Sequence, residues 1–377
     1  MRLIFTSYIS TPEFKDPIAW LRRIDGYTGI LEALAGEHEV ISIERIDHEG
    51  NYEIKGVNYF FYRLKTRRTL FPLKMHRMIR SWSPDVIFVN GFVFPLQLIQ
   101  LRLRVGRRPK IIVLHRAEKP FTGWRKYLQV LADRCVDHYF FVSSEFGLDW
   151  KRAGIIANQK KIYEIMQASS SFSAINRHHA RETLLLQNGI IFLWVGRLDA
   201  NKDPVTVIKA FINFAAAHRH ARLYMIYQEH DLVDEILSII KNNSVAQLAV
   251  KLVGAVAHEK LGHWYSAADF FISGSHYEGS GVAVIEAMSC GCIPVLTDII
   301  SFRKITANGQ YGILYKAGNA QDLQSKLGQV MRMDLEREKE RVCHHFQREY
   351  SYEAIAKKIE NVIGKAVGDE KPAYANA

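Results

Sequence analysis

Short runs rich in β-branched residues alternate along this chain with amphipathic stretches of about 10–15 residues, and this alternation constrains the fold more than any other feature. It predicts parallel sheets flanked by helices, an α/β fold. The predicted strands of the first half are residues 3–6, 39–43, 86–89, 111–115 and 138–142. Those of the second half are residues 190–195, 222–226, 250–253, 269–272, 293–296 and 312–315.

The two groups of strands predict two domains, which suits a length of 377 residues. A polar stretch at 169–179 separates the groups, so we expect an N-terminal domain at 1–170 and a C-terminal domain at 171–350. A last helix is expected at 351–367, and the polar residues 368–377 are predicted to be disordered. Because open parallel sheets bind ligands at the carboxyl ends of their strands, the residues just after each strand are the candidates for function.

The sequence gives no indication of secretion or of a membrane span. The first residues, MRLIFTSYIS, lack the apolar core of a signal peptide, and the longest apolar stretch, residues 86–101, is interrupted by polar residues. The four cysteines are few for this length, so we expect reduced thiols. These features predict a cytoplasmic protein.

The segment YEGSGVAVIEAM, residues 277–288, follows a predicted strand and opens a predicted helix. Gly279 and Gly281 permit a tight turn and a close approach of the backbone to a ligand. The N–H groups at the start of the helix favour an anion there. Glu286, just over one turn inside the helix, could accept two hydrogen bonds from a vicinal diol such as a ribose, and Glu278 precedes the helix. Taken alone, a Gly-rich turn with two solvated glutamates explains this spacing equally well.

A second segment, WVGRLDANKDP at residues 194–204, leads from an apolar strand into a helix for which Asp203 is the expected N-cap. Between them lie Arg197 and Lys202. A guanidinium can fork onto phosphate oxygens and a lysine adds a point charge, so the pair could hold a diphosphate. Two surface cations beside a helix start are the alternative.

Together the two segments resemble the retaining glycosyltransferases of family 4, which have the GT-B fold. Further matches lie at residues 250–254, 261–273, 286–295 and 297–298, so that the resemblance covers essentially the whole second half. The fold implied is two Rossmann-like domains whose parallel sheets face a central cleft, with a C-terminal helix that crosses back onto the N-terminal domain. In such enzymes the first domain binds the acceptor and the second binds a nucleotide-sugar donor.

The resemblance also implies roles for individual residues. Arg197 and Lys202 would bind the donor diphosphate, Glu286 would hold the ribose, and Glu278 would contact the transferred sugar. The catalytic set implied is Arg197, Lys202, Glu278 and His115. The donor-binding set implied is Gly196, Arg197, Lys202, Val253, Gly254, Glu278, Gly279, Ser280, Gly281, Val282 and Glu286, with Gly26 and Gly29 from the first half.

The first half matches the family less well. His115 ends a predicted strand at the position where the family has a histidine near the transferred sugar, although ordinary hydrogen bonds at a strand end would also explain it. Gly26 and Gly29, before a helix expected at 30–34, resemble the family's Gly-rich loop over the donor phosphates. The family commonly has adjacent glycines there, whereas two residues separate them here.

The family generally requires no metal ion, and this sequence has no Asp-x-Asp motif of the kind that binds metal in the other major glycosyltransferase fold. We therefore expect no metal and no cofactor. The predicted reaction is transfer of a sugar, with retention of configuration, from a UDP- or GDP-sugar. The acceptor would be a hydroxyl group of a lipid-linked saccharide, a polysaccharide precursor or a small molecule.

The net charge of +11 is concentrated in the first half. Between Lys55 and Lys110 there are 13 basic residues and one acidic residue, Asp85. Within the segment from Arg63 to Lys110 these cations alternate with Leu, Phe, Met and Trp, a composition that suits peripheral contact with an anionic membrane. A solvated cationic face is an equally good interpretation, and we do not expect a nucleic-acid partner.

Two other functions fit parts of the sequence. A nicotinamide-dependent enzyme acting on sugar nucleotides would need the fingerprint Gly-x-Gly-x-x-Gly, but Val284 stands where the third glycine would follow Gly279 and Gly281. A membrane-surface or nucleic-acid-binding protein on a degenerate transferase scaffold would explain the basic segment. It would not explain why all four donor-site side chains are present.

Overall fold

The computed structural model describes residues 1–63, 70–228 and 231–368, and it divides into two compact units. Unit 1 contains Met1–Ser169 together with the described residues from Tyr352 onward, and unit 2 contains Ser170–Ser351. Apart from Gly368, the predicted disordered tail lies outside the described residues, as do residues 64–69 of the basic segment.

Unit 1 is built on an eight-stranded sheet in the order β3-β4-β2-β1-β5-β6-β7-β8, in which only the β3–β4 pair is antiparallel. Its strands are β1 (Arg2–Ser7), β2 (Glu39–Glu44), β3 (Gly50–Ile54), β4 (Val57–Phe61), β5 (Val86–Asn90), β6 (Lys110–Leu114), β7 (His138–Phe141) and β8 (Ile162–Glu164). Its first six helices are α1 (Pro17–Arg23), α2 (Asp25–Leu34), α3 (Leu73–Ser81), α4 (Pro95–Val105), α5 (Trp124–Asp133) and α6 (Ser144–Arg152).

Unit 2 is built on a six-stranded parallel sheet in the order β11-β10-β9-β12-β13-β14. Its strands are β9 (Ile190–Val195), β10 (Ala221–Ile226), β11 (Val250–Gly254), β12 (Phe270–Ser273), β13 (Ile293–Thr297) and β14 (Ile313–Tyr315). Its helices are α7 (Arg177–Thr183), α8 (Pro204–Ala217), α9 (Val233–Lys241), α10 (Ser244–Ala249), α11 (Leu261–Ala267), α12 (Val282–Ser289), α13 (Ile300–Ile305), α14 (Ala320–Val330) and α15 (Leu335–Glu349). The last helix, α16 (Tyr352–Gly368), packs against α2 and belongs to unit 1.

All predicted strands are confirmed, each with ends within one residue of the structure. The central strands are buried on both faces, because helices cover both sides of a mostly parallel sheet, and they therefore read as apolar runs. The strands that the sequence did not predict are β3, β4 and β8. The first of these is largely exposed, which removes the apolar signal.

In each sheet there is one point at which the strand order reverses, so that later strands are added on the opposite side of the first strand. In unit 2 the strands β9, β10 and β11 proceed to one side, and β12, β13 and β14 proceed to the other, so the switch lies between β9 and β12. Ligands of open α/β sheets bind beyond the carboxyl ends of the strands at such a point. The loops that follow β9 and β12 are therefore where the topology places a binding site.

Gly26 and Gly29 were expected in a loop before the helix, and this placement is wrong, because helix α2 begins at Asp25 and includes both residues. Their contact with the donor phosphates stays a prediction. A Cβ at Gly29 would lie 2.4 Å from the ring of Tyr352, whose hydroxyl donates a hydrogen bond to the carbonyl oxygen of Asp25 at 3.1 Å. A Cβ at Gly26 would lie 2.9 Å from the carbonyl oxygen of Ser169. These glycines allow other parts of unit 1 to pack closely on α2.

Candidate functional site

The two loops at the switch point of unit 2 are bonded to each other. The backbone N–H of His276 donates to the carbonyl oxygen of Asn201 at 2.8 Å, and the side-chain amide of Asn201 donates to the carbonyl oxygen of Tyr277 at 3.1 Å. Gly274 permits this approach, because a Cβ there would lie 2.9 Å from the carbonyl oxygen of Lys202. The loops after β9 and β12 thus form one structure that carries most of the predicted donor-site residues.

Lys202 and Glu278 meet at this junction. The ammonium group of Lys202 forms a salt bridge with Oε1 of Glu278, and the hydroxyl of Ser275 donates to the same oxygen at 2.7 Å. The two side chains are only 22% and 16% exposed. The fold therefore brings into direct contact a residue predicted to bind phosphate and a residue predicted to bind the sugar, which lie 76 positions apart in the sequence.

Arg197 lies on the first of these loops and points toward solvent, with 54% of its side chain exposed. Its Nη2 atom lies 3.2 Å from Oδ2 of Asp199, and Oδ1 of Asp199 accepts a hydrogen bond from the backbone N–H of Lys202 at 2.8 Å. Asp199, which the sequence analysis did not single out, links the guanidinium to the backbone that carries the lysine. The predicted N-cap is confirmed, because Asp203 accepts from the backbone N–H of Thr206 at 3.1 Å.

The start of helix α12 supplies the third part of the site. Gly281 is its N-cap, with φ 56° and ψ 47°, and no side chain caps the helix. A Cβ at Gly281 would approach Ile305 and Phe302 to 3.0 and 3.1 Å, so both backbone conformation and packing require glycine. Gly279 and Ser280 are partly exposed in the preceding turn, and the side chain of Val282 is 42% exposed. Backbone N–H groups that are not capped by a side chain favour an anion at this helix start.

Glu286 lies inside α12, is 7% exposed, and has a partner on each carboxylate oxygen. Nε2 of His258 lies 2.8 Å from Oε1, and the hydroxyl of Tyr265 donates to Oε2 at 2.8 Å. The ring of Phe172 packs on His258 with centroids 5.1 Å apart. Burial, and then the charge of Glu286, raise the pKa of Tyr265, which keeps its hydroxyl as a donor. Each oxygen of Glu286 retains capacity for a further hydrogen bond.

The end of β11 places Val253 and Gly254 at the same edge of the sheet. The carbonyl oxygen of Gly254 accepts from the backbone N–H of Tyr227 at 3.0 Å. Gly254 has φ +84°, and no atom lies within 4 Å of the position a Cβ would take. The backbone at this strand end is therefore open on its outer side.

His115 lies at the end of a strand, as the sequence analysis expected, and is buried. It follows β6 in unit 1, is 3% exposed, and packs against Phe141 and Trp150. Its Nε2 lies 2.9 Å from the carbonyl oxygen of Glu118, and its Nδ1 accepts from the backbone N–H of Ala117 at 3.3 Å. Burial lowers its pKa, so the ring is neutral. Both nitrogens of His115 are thus hydrogen-bonded inside unit 1, and its role as a contact of the transferred sugar stays a prediction.

Across the described ranges, no three His, Cys, Asp or Glu side chains come together as ligands for a metal ion. Helices long and apolar enough to cross a bilayer are also absent from these ranges.

The chain matches two described protein families. Residues 30–163 match "Glycosyltransferase Family 4", and residues 176–349 match "Glycosyl transferases group 1". The GDP-mannose:cellobiosyl-diphosphopolyprenol alpha-mannosyltransferase of Xanthomonas oryzae pv. oryzae is 29% identical over 126 residues, which are 33% of this chain and 33% of that protein. The enzyme of the same name from Komagataeibacter xylinus is 24% identical over 255 residues, 60% of this chain and 64% of that protein.

The first of these relatives is thus matched over about a third of its length. Among solved structures, HepE of Anabaena in complex with UDP superposes with a TM-score of 0.72 at 14% identity, covering 97% of this chain and 100% of that chain. A likeness at that level of identity concerns the fold. Because the two family matches cover both halves, the chain belongs to glycosyltransferase family 4 and has the GT-B fold.

Proposed function

We propose that this protein is a retaining glycosyltransferase that moves a sugar from a nucleoside diphosphate sugar to a hydroxyl group of an acceptor, without a metal ion. The observation that supports this most directly is the junction of the loops after β9 and β12. It joins Lys202 to Glu278, holds Arg197 beside it through Asp199, and lies at the switch point of the sheet from which α12 starts.

In this proposal the donor diphosphate lies against Arg197, Lys202 and the uncapped start of α12. The bond between the anomeric carbon and the diphosphate breaks, and the charge that develops on the leaving group is stabilised by these positive groups. The acceptor oxygen forms the new bond on the same face of the sugar, and its proton passes to the leaving phosphate. That proton transfer, like retention, follows from the resemblance to the family.

The remaining residues would orient the donor. Glu286 accepts hydrogen bonds from the ribose hydroxyls, with His258 and Tyr265 holding its carboxylate. Glu278 contacts the transferred sugar through the carboxylate capacity left beside Lys202 and Ser275. The open backbone at Val253 and Gly254 contacts the base, and Gly196, Gly279, Ser280 and Val282 supply backbone contacts. Gly26, Gly29 and His115 belong to unit 1, and their contacts with the donor rest on the resemblance alone.

The relatives guide the choice of substrates. Two of them are named for GDP-mannose as donor and a cellobiosyl diphosphopolyprenol as acceptor. We therefore favour a GDP-sugar or UDP-sugar as donor and a lipid-linked saccharide as acceptor, ahead of a polysaccharide precursor or a small molecule.

A lipid-linked acceptor would require contact with a membrane, and unit 1 offers a suitable surface. We call it the basic helical surface: the exposed residues of α3, α4 and α5, which pack side by side, and of the short segments beside them. Its exposed cations include Lys74, Arg77, Arg107, Arg108 and Arg125. Its exposed apolar residues are Leu70, Phe71, Leu73, Leu103, Trp124, Tyr127 and Leu131, of which Leu103, Trp124 and Tyr127 are 80%, 72% and 74% exposed.

Within the predicted segment from Arg63 to Lys110, two cations are paired inside unit 1. The side chain of Arg102 is 13% exposed and bonds to Asp137, and Arg63 bonds to Asp47 at 2.7 Å. Within this segment, the surface that suits a membrane is therefore smaller than predicted. The surface also includes α5, which lies outside the segment, where Trp124 and Tyr127 add amphipathic rings that favour a membrane–water interface.

The donor site is tested by substitution and by binding. Arg197→Ala, Lys202→Ala and Glu286→Ala are each expected to weaken donor binding or turnover by about 10-fold or more, since each removes a charge-assisted contact. Lys209→Ala, which removes an exposed cation from α8, is the matched control. A thermal-shift panel of UDP-, GDP-, ADP- and TDP-sugars identifies the donor, and the product's anomeric configuration tests retention.

Wild-type donor binding and turnover in all three variants would contradict the proposed site. A shift in melting temperature with NAD(H), and none with any sugar nucleotide, would favour the nicotinamide-dependent alternative. Addition of EDTA is expected to leave turnover unchanged, and its loss would contradict metal independence.

A further inference from the structure

Arg45 is a buried cation in unit 1 whose guanidinium makes one hydrogen bond among the described residues. It follows β2 at the carboxyl edge of the sheet and is 3% exposed. Its Nη1 donates to the carbonyl oxygen of Tyr8, which follows the adjacent strand β1. Its Nε and Nη2 atoms are buried and have no hydrogen-bond partner among the described residues. A buried guanidinium in this condition is costly, because its charge is removed from water without compensation.

No carboxylate is bonded to Arg45 within the described ranges. The charged or polarisable groups that act on its pKa are the phenols of Tyr62 and Tyr8, and burial is the main effect, which lowers that pKa. The adjacent Glu44 bonds instead to Ser42 at 2.7 Å and to Trp20 at 2.9 Å. The groups that bond to this guanidinium or act on its charge are therefore a backbone carbonyl and two phenols, and none of them is a carboxylate.

The free edge of Arg45 has a specific geometry. The N–H groups of Nε and Nη2 point in the same direction, and this edge of a guanidinium binds two oxygens of a carboxylate or phosphate side by side. The phenol of Tyr62 acts on this guanidinium, and Nζ of Lys74 lies 5.8 Å from the centroid of the Tyr62 ring. The hydroxyl of Tyr8 contacts Nε2 of His76 at 2.9 Å.

We propose that the free edge of Arg45 binds a phosphate or diphosphate group of the acceptor. The inference rests on the proposed glycosyltransferase function, and it assigns to unit 1 an anionic acceptor. The site lies at the carboxyl edge of the sheet, where open α/β sheets bind ligands, and one strand from the switch between β1 and β5. Because Arg45 is covered in this structure, binding requires the side chains around it to move aside.

Nearby residues suggest how such a phosphate could be presented. Leu70, Phe71 and Leu73 are 59%, 60% and 45% exposed at the start of α3, the helix that carries Lys74. An apolar chain attached to the phosphate could lie along these residues while the phosphate reached Arg45. A soluble sugar phosphate shares the anionic chemistry but would not use the apolar residues, so the two sources can be separated by experiment.

The binding test uses the full chain carrying Arg197→Ala and Lys202→Ala, so that the donor site does not capture the probe. Calorimetry with inorganic pyrophosphate reports the soluble source. Flotation with neutral phosphatidylcholine vesicles, with or without undecaprenyl diphosphate, reports the lipid source. Adding Arg45→Met is expected to weaken pyrophosphate binding, or binding to the undecaprenyl diphosphate vesicles, by about 10-fold or more, the value of charge-assisted hydrogen bonds. Arg45→Lys should recover only part of this loss, and Arg22→Met, an exposed cation of α1, should change neither.

A second measurement separates a ligand site from a structural role. If Arg45 is kept for binding, Arg45→Met should raise the melting temperature or leave it unchanged, because an apolar chain of similar volume replaces an unpaired buried charge. A clear fall in melting temperature would show a structural role and overturn the proposal, as would unchanged binding of both probes. Loss of probe binding on Arg45→Met, together with a wild-type protein that neither binds nor hydrolyses any sugar nucleotide, would uphold this site and reject the glycosyltransferase function.

Discussion

At the scale of single residues, Glu286 illustrates how the use of a carboxylate depends on the groups that orient it. The sequence predicted a ribose-binding role from its position in α12, but it did not indicate the two donors that hold it. His258 lies in the loop after β11 and Tyr265 in α11, so they approach Glu286 from separate elements. We infer that His258 is a positioning residue for the nucleoside of the donor.

The prediction for His258 concerns selectivity for ribose. In His258→Phe the ring that packs on Phe172 is kept but the donor to Glu286 is lost, so the carboxylate is less well oriented toward a diol. Affinity for GDP or UDP, whichever the protein binds, is expected to fall by about 5- to 10-fold, the net value of a typical hydrogen bond, because His258 acts through Glu286. Affinity for the corresponding 2′-deoxynucleotide should fall less. Calorimetry with both nucleotides measures the ratio.

His258→Gln is the matched control, because its amide can still donate to Glu286 and should restore much of the preference for the ribonucleotide. If His258 had only a structural role, its replacement would weaken binding of both nucleotides equally. The ratio of the two affinities would then stay at the wild-type value, contrary to our inference.

A second prediction at this scale concerns acid stability. Burial, and then the charge of Arg104, lower the pKa of His76 from 6.5 to about 4. The unfolded chain therefore takes up this proton at a higher pH than the folded protein does. The stability due to neutral His76 is fully present above pH 6.5 and is lost as the pH falls toward 4, with a slope of up to about 1.4 kcal/mol per pH unit. Burial of His115 acts in the same direction.

Urea unfolding across this pH range measures the effect. His76→Gln removes the titrating group and keeps a polar contact with Tyr8, so its free energy of unfolding should depend less steeply on pH than that of the wild type. His178→Gln is the control, because that side chain is 81% exposed and its change should leave the slope as it was. Identical slopes in wild type and His76→Gln would contradict the assignment.

At the scale of elements, the sequence predicted the strands that are buried and missed those that are not. The strands of unit 2 were all predicted because they are apolar and because Gly196, Gly254 and Gly274 mark the ends of three of them. The hairpin of β3 and β4 was missed because β3 is exposed, although Lys55 and Gly56, both with positive φ, form a two-residue turn that the sequence could have indicated. Gly26 and Gly29 were placed before the helix and not in it, because the close packing of Ser169 and Tyr352 on these glycines is long-range and local sequence does not reveal it.

The close packing on Gly29 predicts a change in stability. In Gly29→Ala the new methyl group would overlap the ring of Tyr352, which lies 2.4 Å from the Cβ position. We expect the free energy of unfolding to fall by about 1–3 kcal/mol, as in other overpacked sites, despite the better helix propensity of alanine. Thermal and urea unfolding measure this directly.

Gly364→Ala provides the matched control in α16, since no atom lies within 4 Å of its Cβ position. That variant should be more stable than the wild type, by up to about 1 kcal/mol. If Gly29→Ala kept wild-type stability but lost affinity for the donor, the result would support the predicted contact with the donor phosphates, and the packing interpretation would be wrong.

At the scale of the whole molecule, charge and exposed apolar area occur together on unit 1. The net charge of the protein is +11, and much of the excess lies between Lys55 and Lys110. The sequence located this excess but could not distinguish paired cations such as Arg102 from exposed ones. Nor did it indicate that Trp124 and Tyr127 on α5 would be exposed, because aromatic residues are ordinarily interpreted as core. Even when the cations that form ion pairs are not counted, the basic helical surface still combines exposed cations with large exposed apolar side chains.

The last prediction is that this surface binds anionic membranes. Replacing Lys74, Arg77, Arg107 and Arg108 together by Gln should reduce binding to vesicles containing phosphatidylglycerol, at roughly 1 kcal/mol for each cation near the surface. Trp124→Ser with Tyr127→Ser should weaken binding further and should do so in high salt as well, because burial of apolar rings is not screened. The control replaces four exposed cations of unit 2, Lys241, Lys251, Lys260 and Arg332, and so removes the same charge. Flotation assays should show vesicle binding by the wild type and by this control. If the unit 1 variant and the unit 2 control lost vesicle binding equally, only net charge would matter. A wild type that does not bind such vesicles would exclude membrane contact through this surface.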